Sequence, residues 1–170
     1  MDLRERQQQA QRHPWEVARA RHFRRLVADA CGTPPMTVID VGAGDGWFAE
    51  QLRADLAPGC TITCWDAHYT ADDLAAALPD GIRRTADRPT EPAQLVLALD
   101  VLEHVLDDRT FVDEEVAPLV AADGVLIASV PAHQRLFTSH DVALGHHRRH
   151  DAASLRALLE PAFEVVHEGS

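Results

Sequence analysis

The sequence predicts an α/β fold with a doubly wound, mostly parallel sheet, and three observations carry that expectation. Apolar strand-like runs alternate with segments of helical periodicity. The links between them are short, and the first run passes directly through a glycine-rich bend into a helix. Strands are expected at 38–41, 60–66, 82–85, 95–100, 124–130 and 163–167. With 170 residues, 46% of them hydrophobic, the chain has apolar content for one domain around one core.

The elements follow in order. Residues 1–12 form a polar, Gln-rich tail with no apolar stretch of the secretory kind, and 13–170 form the domain. Pro14 opens a helix that Gly32 ends. Trp15, Ala18, Phe23, Leu26, Val27 and Ala30 give that helix its apolar stripe, which reads as core packing. After the first strand, Phe48, Leu52 and Leu56 mark one face of a helix over 47–57, and Pro58-Gly59 turns the chain. Thr70 caps a helix over 71–78, stopped by Pro79-Asp80-Gly81, and 82–85 is a short edge strand. A helix over 108–122 should kink or split near residue 114, because Pro118 sits inside it. The stretch 131–150 shows no periodicity, and so long a loop in a small domain is usually functional or disordered. Asp151 caps a last helix carrying Leu155, Leu158 and Leu159, which Pro161 closes.

The formal net charge of −11 opposes binding to a phosphate backbone, which needs a continuous basic face. Arg19, Arg21, Arg24 and Arg25 read as a solvated helix face. No run of about 18 apolar residues suggests a membrane span. Cys60 and Cys64 share one face of a strand about 13 Å apart, too far for a disulfide. With Cys31 they make an odd count and no zinc spacing, so a reducing, cytoplasmic setting is expected.

Function concentrates at Asp40-Val41-Gly42-Ala43-Gly44-Asp45-Gly46. Strand, Gly-rich bend and helix together turn backbone N–H groups toward a ligand. A dinucleotide fingerprint would need a third glycine where Trp47 stands, and a phosphate loop would need a lysine near the bend. Both are missing, so a nicotinamide-dependent oxidoreductase is disfavoured. Asp40 would repel a pyrophosphate, but it suits an ammonium group or the amides of the loop.

This run resembles the first motif of class I S-adenosylmethionine-dependent methyltransferases, and the resemblance extends over residues 13 to 168. Asp66 ends the second strand-like run, Asp100-Val101-Leu102-Glu103-His104 resembles the family's fourth motif, and 123–130 resembles its fifth strand. The implied fold is Rossmann-like, with the first helix covering the cofactor and Trp15 lining part of its site. The implied cofactor is S-adenosylmethionine, held by Asp40, Gly42, Ala43, Gly44 and Gly46, by Asp66 and Ala67 at the ribose, by Asp87 at the adenine, and by Leu99, Asp100 and Val101. His104 is the implied general base. On the loop 131–150, His140, His146, Arg148 and Arg149 are the implied acceptor-side residues. The implied activity is methyl transfer to a small-molecule acceptor at oxygen, with no nucleic acid or membrane partner and a homodimer as one option.

Departures matter as well. The family sheet has seven strands and this chain stops after a sixth. An alternative is therefore a cofactor-binding domain completed by a partner or a longer chain. His150 stands where an aromatic is usual. Asp100, Glu103 and His104, with His146 or His147, resemble the ligand set of metal-dependent relatives. Those relatives carry Glu where this chain has Asp100, and many others carry Glu-His without metal, so no metal is expected.

Overall fold

The protein is described by a computed structural model covering residues 12–169. Five strands form one parallel sheet in the order β3-β2-β1-β4-β5, with β1 Thr37–Val41, β2 Thr61–Trp65, β3 Ile82–Thr85, β4 Ala93–Leu99 and β5 Val120–Ser129. The helices are α1 Pro14–Cys31, α2 Trp47–Arg53, α3 Ala71–Ala75, α4 Asp108–Thr110, α5 Ser139–Ala143 and α6 Ala152–Leu159. Strand order reverses between β1 and β4, and ligands of such sheets bind beyond the strands' carboxyl ends at that reversal.

Period-two alternation sorts the strand side chains onto two faces. Val38, Ile62, Cys64, Leu95 and Leu97 meet Phe23 and Val27 of α1 and Leu52 of α2. On the opposite face Ile39, Val41, Trp65 and Val96 meet Val116 and Leu119. Both faces are covered, as the near-continuous apolar reading of β4 requires.

Caps match the sequence. Thr70 and Asp151 each accept from a backbone N–H of the first helical turn, of Asp73 and Ser154 respectively. His13 does the same for α1, and Gly32 ends that helix with φ +61°. Between Ala93↔Val120 and Leu95↔Val125, β5 advances five residues while β4 advances two, so 121–124 bulge out. Gly124 suits this bulge, because a Cβ there would lie 3.0 Å from backbone atoms of Ala121 and Ala93.

Several expectations need correction. The helix expected over 108–122 is a composite: α4 runs into a π-helical stretch Phe111–Val116, then a 3₁₀ turn Ala117–Leu119, and β5 begins at once. Pro118 lacks the N–H for the carbonyl of Glu114 and crowds it, so the segment splits, one of the two expected outcomes, and it does so by widening into a π turn. Helices α2 and α3 stop at Arg53 and Ala75, short of 57 and 78. No sixth strand forms at 163–167 among the described residues. Phe163 instead packs against Leu102, Val112 and Leu158, while Val166 is exposed. Trp15 is 66% exposed and lines nothing; Glu16, Arg19, Ala20 and Phe23 occupy the site-facing side of α1. The tail assigned to 1–12 lies outside the described residues except for Arg12.

Candidate cofactor and acceptor site

The glycine bend is shaped by three left-handed positions: Gly42, Gly44 and Gly46 have φ of +61°, +56° and +77°. At Gly42 a Cβ would also sit 2.7 Å from Val101 Cγ2, so bend and post-β4 segment pack too closely for any side chain. The N–H groups of Gly42 and Ala43 donate to the Trp65 carbonyl at 2.7 and 3.3 Å, fastening the bend to the end of β2. From behind, Arg84 of β3 donates to the carbonyls of Asp45 at 2.5 Å and Asp73 at 3.0 Å.

Asp66 lies against this bend. Its carboxylate accepts from Gly44 N at 3.0 Å and from His68 N at 2.9 Å. Each oxygen is thereby fixed in direction, and lone pairs remain for a pair of hydroxyls. Asp40 is buried beneath the bend on β1, and burial pushes its carboxyl up to about 7, against the opposing pull of Arg19.

Across the bend stands α1. Arg12 pairs with Asp45 and Glu16 and lies over the Trp47 ring, 4.8 Å from its centroid. Arg19 reaches Asp100 Oδ2 at 2.7 Å and Ser129 Oγ at 3.0 Å, and that hydroxyl donates to Asp100 Oδ1 at 2.9 Å. Asp100 holds φ +58°, a left-handed backbone outside glycine, at the end of β4. Arg12, Arg19, Asp40, Gly42, Ala43, Asp45 and Leu99 line a cavity of about 70 Å³ between helix and bend. A larger hollow of about 320 Å³ lies at Thr61 and Gly81–Arg83, at the amino ends of β2 and β3, away from this chemistry.

The expected acceptor loop is ordered by Asp141. This wholly buried carboxylate accepts from Arg149 Nε at 2.8 Å, Arg149 Nη2 at 3.1 Å and Thr138 N at 2.8 Å, and Oδ1 lies 3.0 Å from His146 Nδ1. Those partners, Arg149 first, hold its pKa far below the usual carboxylate range. The imidazoles of His104 and His146 meet edge to face, centroids 4.7 Å apart. Beside them Glu103 is fully buried, and burial, with Asp100 next, pushes its carboxyl up to about 8.

Gly42, Ala43, Gly44, Gly46, Asp40 and Asp66 therefore converge, with Leu99, Asp100 and Val101 facing them from β4. His104 and His146 meet; His140 is exposed on α5 and stands apart from them. Arg148 is tied to Asp108 at 2.6 Å and Arg149 to Asp141, so both guanidinium groups already hold carboxylates. Ala67 and Asp87 are exposed beyond the ends of β2 and β3. Sequence reasoning missed Arg12, Arg19, Ser129 and Asp141. For Asp141 the signal was Thr138-Ser139-His140-Asp141, a capping box in which Asp141 takes the place of Glu.

A Rossmann-like sheet with a glycine bend, a strand-end acid under that bend and a second acid across the switch point fits a nucleoside-binding site. The family model "Methyltransferase domain" matches residues 8–168, and the chain belongs to this family, the class I S-adenosylmethionine-dependent methyltransferases. It is an enzyme that takes S-adenosylmethionine as cofactor. Among solved structures, the N-methyltransferase NodS from Bradyrhizobium japonicum WM9, in complex with S-adenosyl-L-homocysteine, is similar. It shows a TM-score of 0.72 and 19% identity, covering 97% of this chain and 86% of that one. The 1,6-didemethyltoxoflavin-N1-methyltransferase from Burkholderia thailandensis gives 0.63 and 20%, covering 84% and 66%. An O-methyltransferase family protein from the same organism gives 0.63 and 19%, covering 92% and 55%. Against curated proteins the sequence finds no match.

Proposed function

We propose that the protein methylates a hydroxyl oxygen of a small molecule. The observation that carries the reading is Asp66 held against the Gly42–Gly46 bend, with Asp40 and Arg19 at the same mouth. The residues fit S-adenosylmethionine: Asp66 offers two directed acceptors to the ribose hydroxyls, Asp40 an anion to the ammonium, and Arg12 or Arg19 a cation to the carboxylate. Ala67 and Asp87 flank the nucleoside end, and Leu99, Asp100 and Val101 the sulfur end. When bound, the cofactor supplies an electrophilic methyl carbon, so positioning of the acceptor contributes much of the rate.

The acceptor side is formed by His104 and by the loop carrying His140, His146, Arg148 and Arg149. A hydroxyl acceptor must shed its proton, and the His104–His146 pair takes it. Asp141 selects the Nδ1–H tautomer of His146 and leaves Nε2 as the acceptor. A cavity of about 70 Å³ is small beside the roughly 300 Å³ or more of an ordinary ligand pocket, so cofactor entry displaces the α1 arginines. The net charge of −11 supports a small-molecule rather than a nucleic-acid acceptor. Three free cysteines support the cytoplasm, and no described helix is long and apolar enough to cross a membrane.

Calorimetric titration with S-adenosylhomocysteine, followed by turnover against a panel of hydroxylated acceptors, tests this reading. Folded protein that takes up no S-adenosylhomocysteine would refute it. One feature favours the second reading, a domain completed by a partner chain. The outer edge of ten-residue β5 is unpaired among the described residues, and a second copy or another protein could add a strand there. Turnover by the isolated chain would end that alternative.

A further inference from the structure

Arg84 places a charge behind the cofactor bend. It stands on β3 opposite Cys64 of β2, so its side chain lies on the face of the sheet that α1 and α2 cover. Nη2 donates to the Asp45 carbonyl at 2.5 Å, and Nη1 to the carbonyl of Asp73 in α3 at 3.0 Å. The guanidinium carbon lies over the Tyr69 ring, 5.4 Å from its centroid. Nε is buried and meets no acceptor among the described residues. Two carbonyls and a ring face fix the plane of the group, and Nε forgoes a partner as a result.

Both halves of the ribose grip are fastened to this part of β3. The bend is reached through Asp45, whose carbonyl belongs to the peptide that enters Gly46 at φ +77°. A Cβ on Gly46 would lie 3.3 Å from Arg84 Nη2, so guanidinium and bend are in close contact. Asp66 is reached from the next residue along the strand: its N–H donates to the carbonyl of Thr85 at 3.2 Å. Tyr69, beneath the guanidinium, donates its own N–H to the Asp66 carbonyl at 3.1 Å and closes the turn 66–69. Bend and turn then meet where Gly44 N–H points at Asp66 Oδ2, 3.0 Å away. An arginine suits this place because its planar fork spans two carbonyls and covers a ring, which a lysine ammonium does not.

We propose that Arg84 is a positioning residue for cofactor binding, tying the Gly42–Gly46 bend to the Asp66–Tyr69 turn at the spacing a ribose needs. Arg84 does not line the cavity between α1 and the bend, and it acts through Gly44 and Asp66. This role rests on the reading of Asp66 as the ribose acid and deepens it, because selectivity for a ribose with both hydroxyls then depends on the bracket as well as on the carboxylate.

The test uses the whole chain, with Arg84→Met and Arg84→Lys set beside the parent protein. Methionine keeps much of the aliphatic stem and loses both donors, whereas lysine restores one charged donor. Calorimetry measures affinity for S-adenosylhomocysteine and for its 2′-deoxyribose analogue. Arg84→Met should weaken S-adenosylhomocysteine about 10-fold or more and shrink the parent's preference for the ribose form at least about threefold. Arg84→Lys should recover part of both losses, and it decides alone where Arg84→Met does not fold. A residue that only stabilised the fold would weaken the two ligands equally, so an unchanged preference in the variants overturns the proposal. Hydrogen exchange on the ligand-free proteins gives a readout without the cofactor. The Gly44 amide should exchange at least about 10-fold faster in Arg84→Met while the amides of β4 keep the parent's rates. Unchanged exchange at Gly44, or equal acceleration throughout the sheet, also overturns it. A parent protein that takes up no S-adenosylhomocysteine refutes the reading of the site and this role with it; uptake by the parent with an unchanged preference in the variants refutes the role alone.

Discussion

Replacing Asp40 by Asn should make the apo protein more stable at alkaline pH and weaken its hold on the cofactor. Burial pushes the folded-state pKa of Asp40 from 3.8 to about 7. Native Asp40 thus keeps its proton across a range in which the unfolded chain has lost it. The unfolded state binds fewer protons there, so stability declines as pH rises from about 4 through 7 and levels off above. Linkage with those two values puts the decline at about 2.5 kcal/mol between pH 5 and pH 8 for this one group. Asparagine fills the same space as the protonated acid and does not titrate. The stability gap between variant and parent should therefore widen by about 2.5 kcal/mol from pH 5 to pH 8, or about 5–10 °C in melting temperature for a chain of this size. Urea or thermal melts at both pH values and fixed ionic strength measure it, and other titrating groups cancel in the double difference. A gap constant to within about 0.5 kcal/mol would mean that Asp40 ionises below pH 5, and the burial argument would fail. S-adenosylhomocysteine affinity should move the opposite way, because the amide offers the ammonium no charge.

Asp66→Ala should lower S-adenosylhomocysteine affinity by roughly 100-fold or more, the value of two charge-assisted hydrogen bonds at about 1.5 kcal/mol each, while the melting temperature stays within a few degrees. Affinity retained within twofold would remove Asp66 from the ribose site. Gly42→Ala combines φ +61° with a Cβ 2.7 Å from Val101, so it should destabilise by about 1–3 kcal/mol in a denaturant melt and weaken cofactor binding as well. The depressed pKa of Asp141 contributes stability above pH 4 that is lost as pH falls through its folded value. Amide exchange at Val142 and Gly145 should therefore accelerate on acidification well before the strands open, and simultaneous loss would contradict the role given to this carboxylate.

The frame of the protein was legible because its signals are local. Period-two apolar runs, three glycines at alternate positions and acids at strand ends are each read within a few residues, and they placed β1, β2, β4 and the cofactor bend. What escaped depends on contacts distant in sequence. Arg19 looked like one of four solvated arginines, and only the fold brings it to Asp100, 81 residues away. Helix α5 was hidden in a stretch judged aperiodic because its cap, rather than its apolar spacing, defines it. The 163–167 run alternates as a strand does, yet alternation cannot reveal whether a neighbouring strand is there to pair with. Pro118 announced a disturbance, but not that the backbone would widen into a π turn.

Asp100 sits in a left-handed backbone conformation that aspartate tolerates and glycine prefers. Glycine there would release about 1–3 kcal/mol of stored strain, but it would also free Arg19 and Ser129 from their shared anchor. A laboratory selection for heat resistance alone should therefore find this position early and yield hardier proteins with a slacker grip on the methyl donor. Keeping aspartate here is a compromise in which some thermal robustness is given up for a well-aimed site.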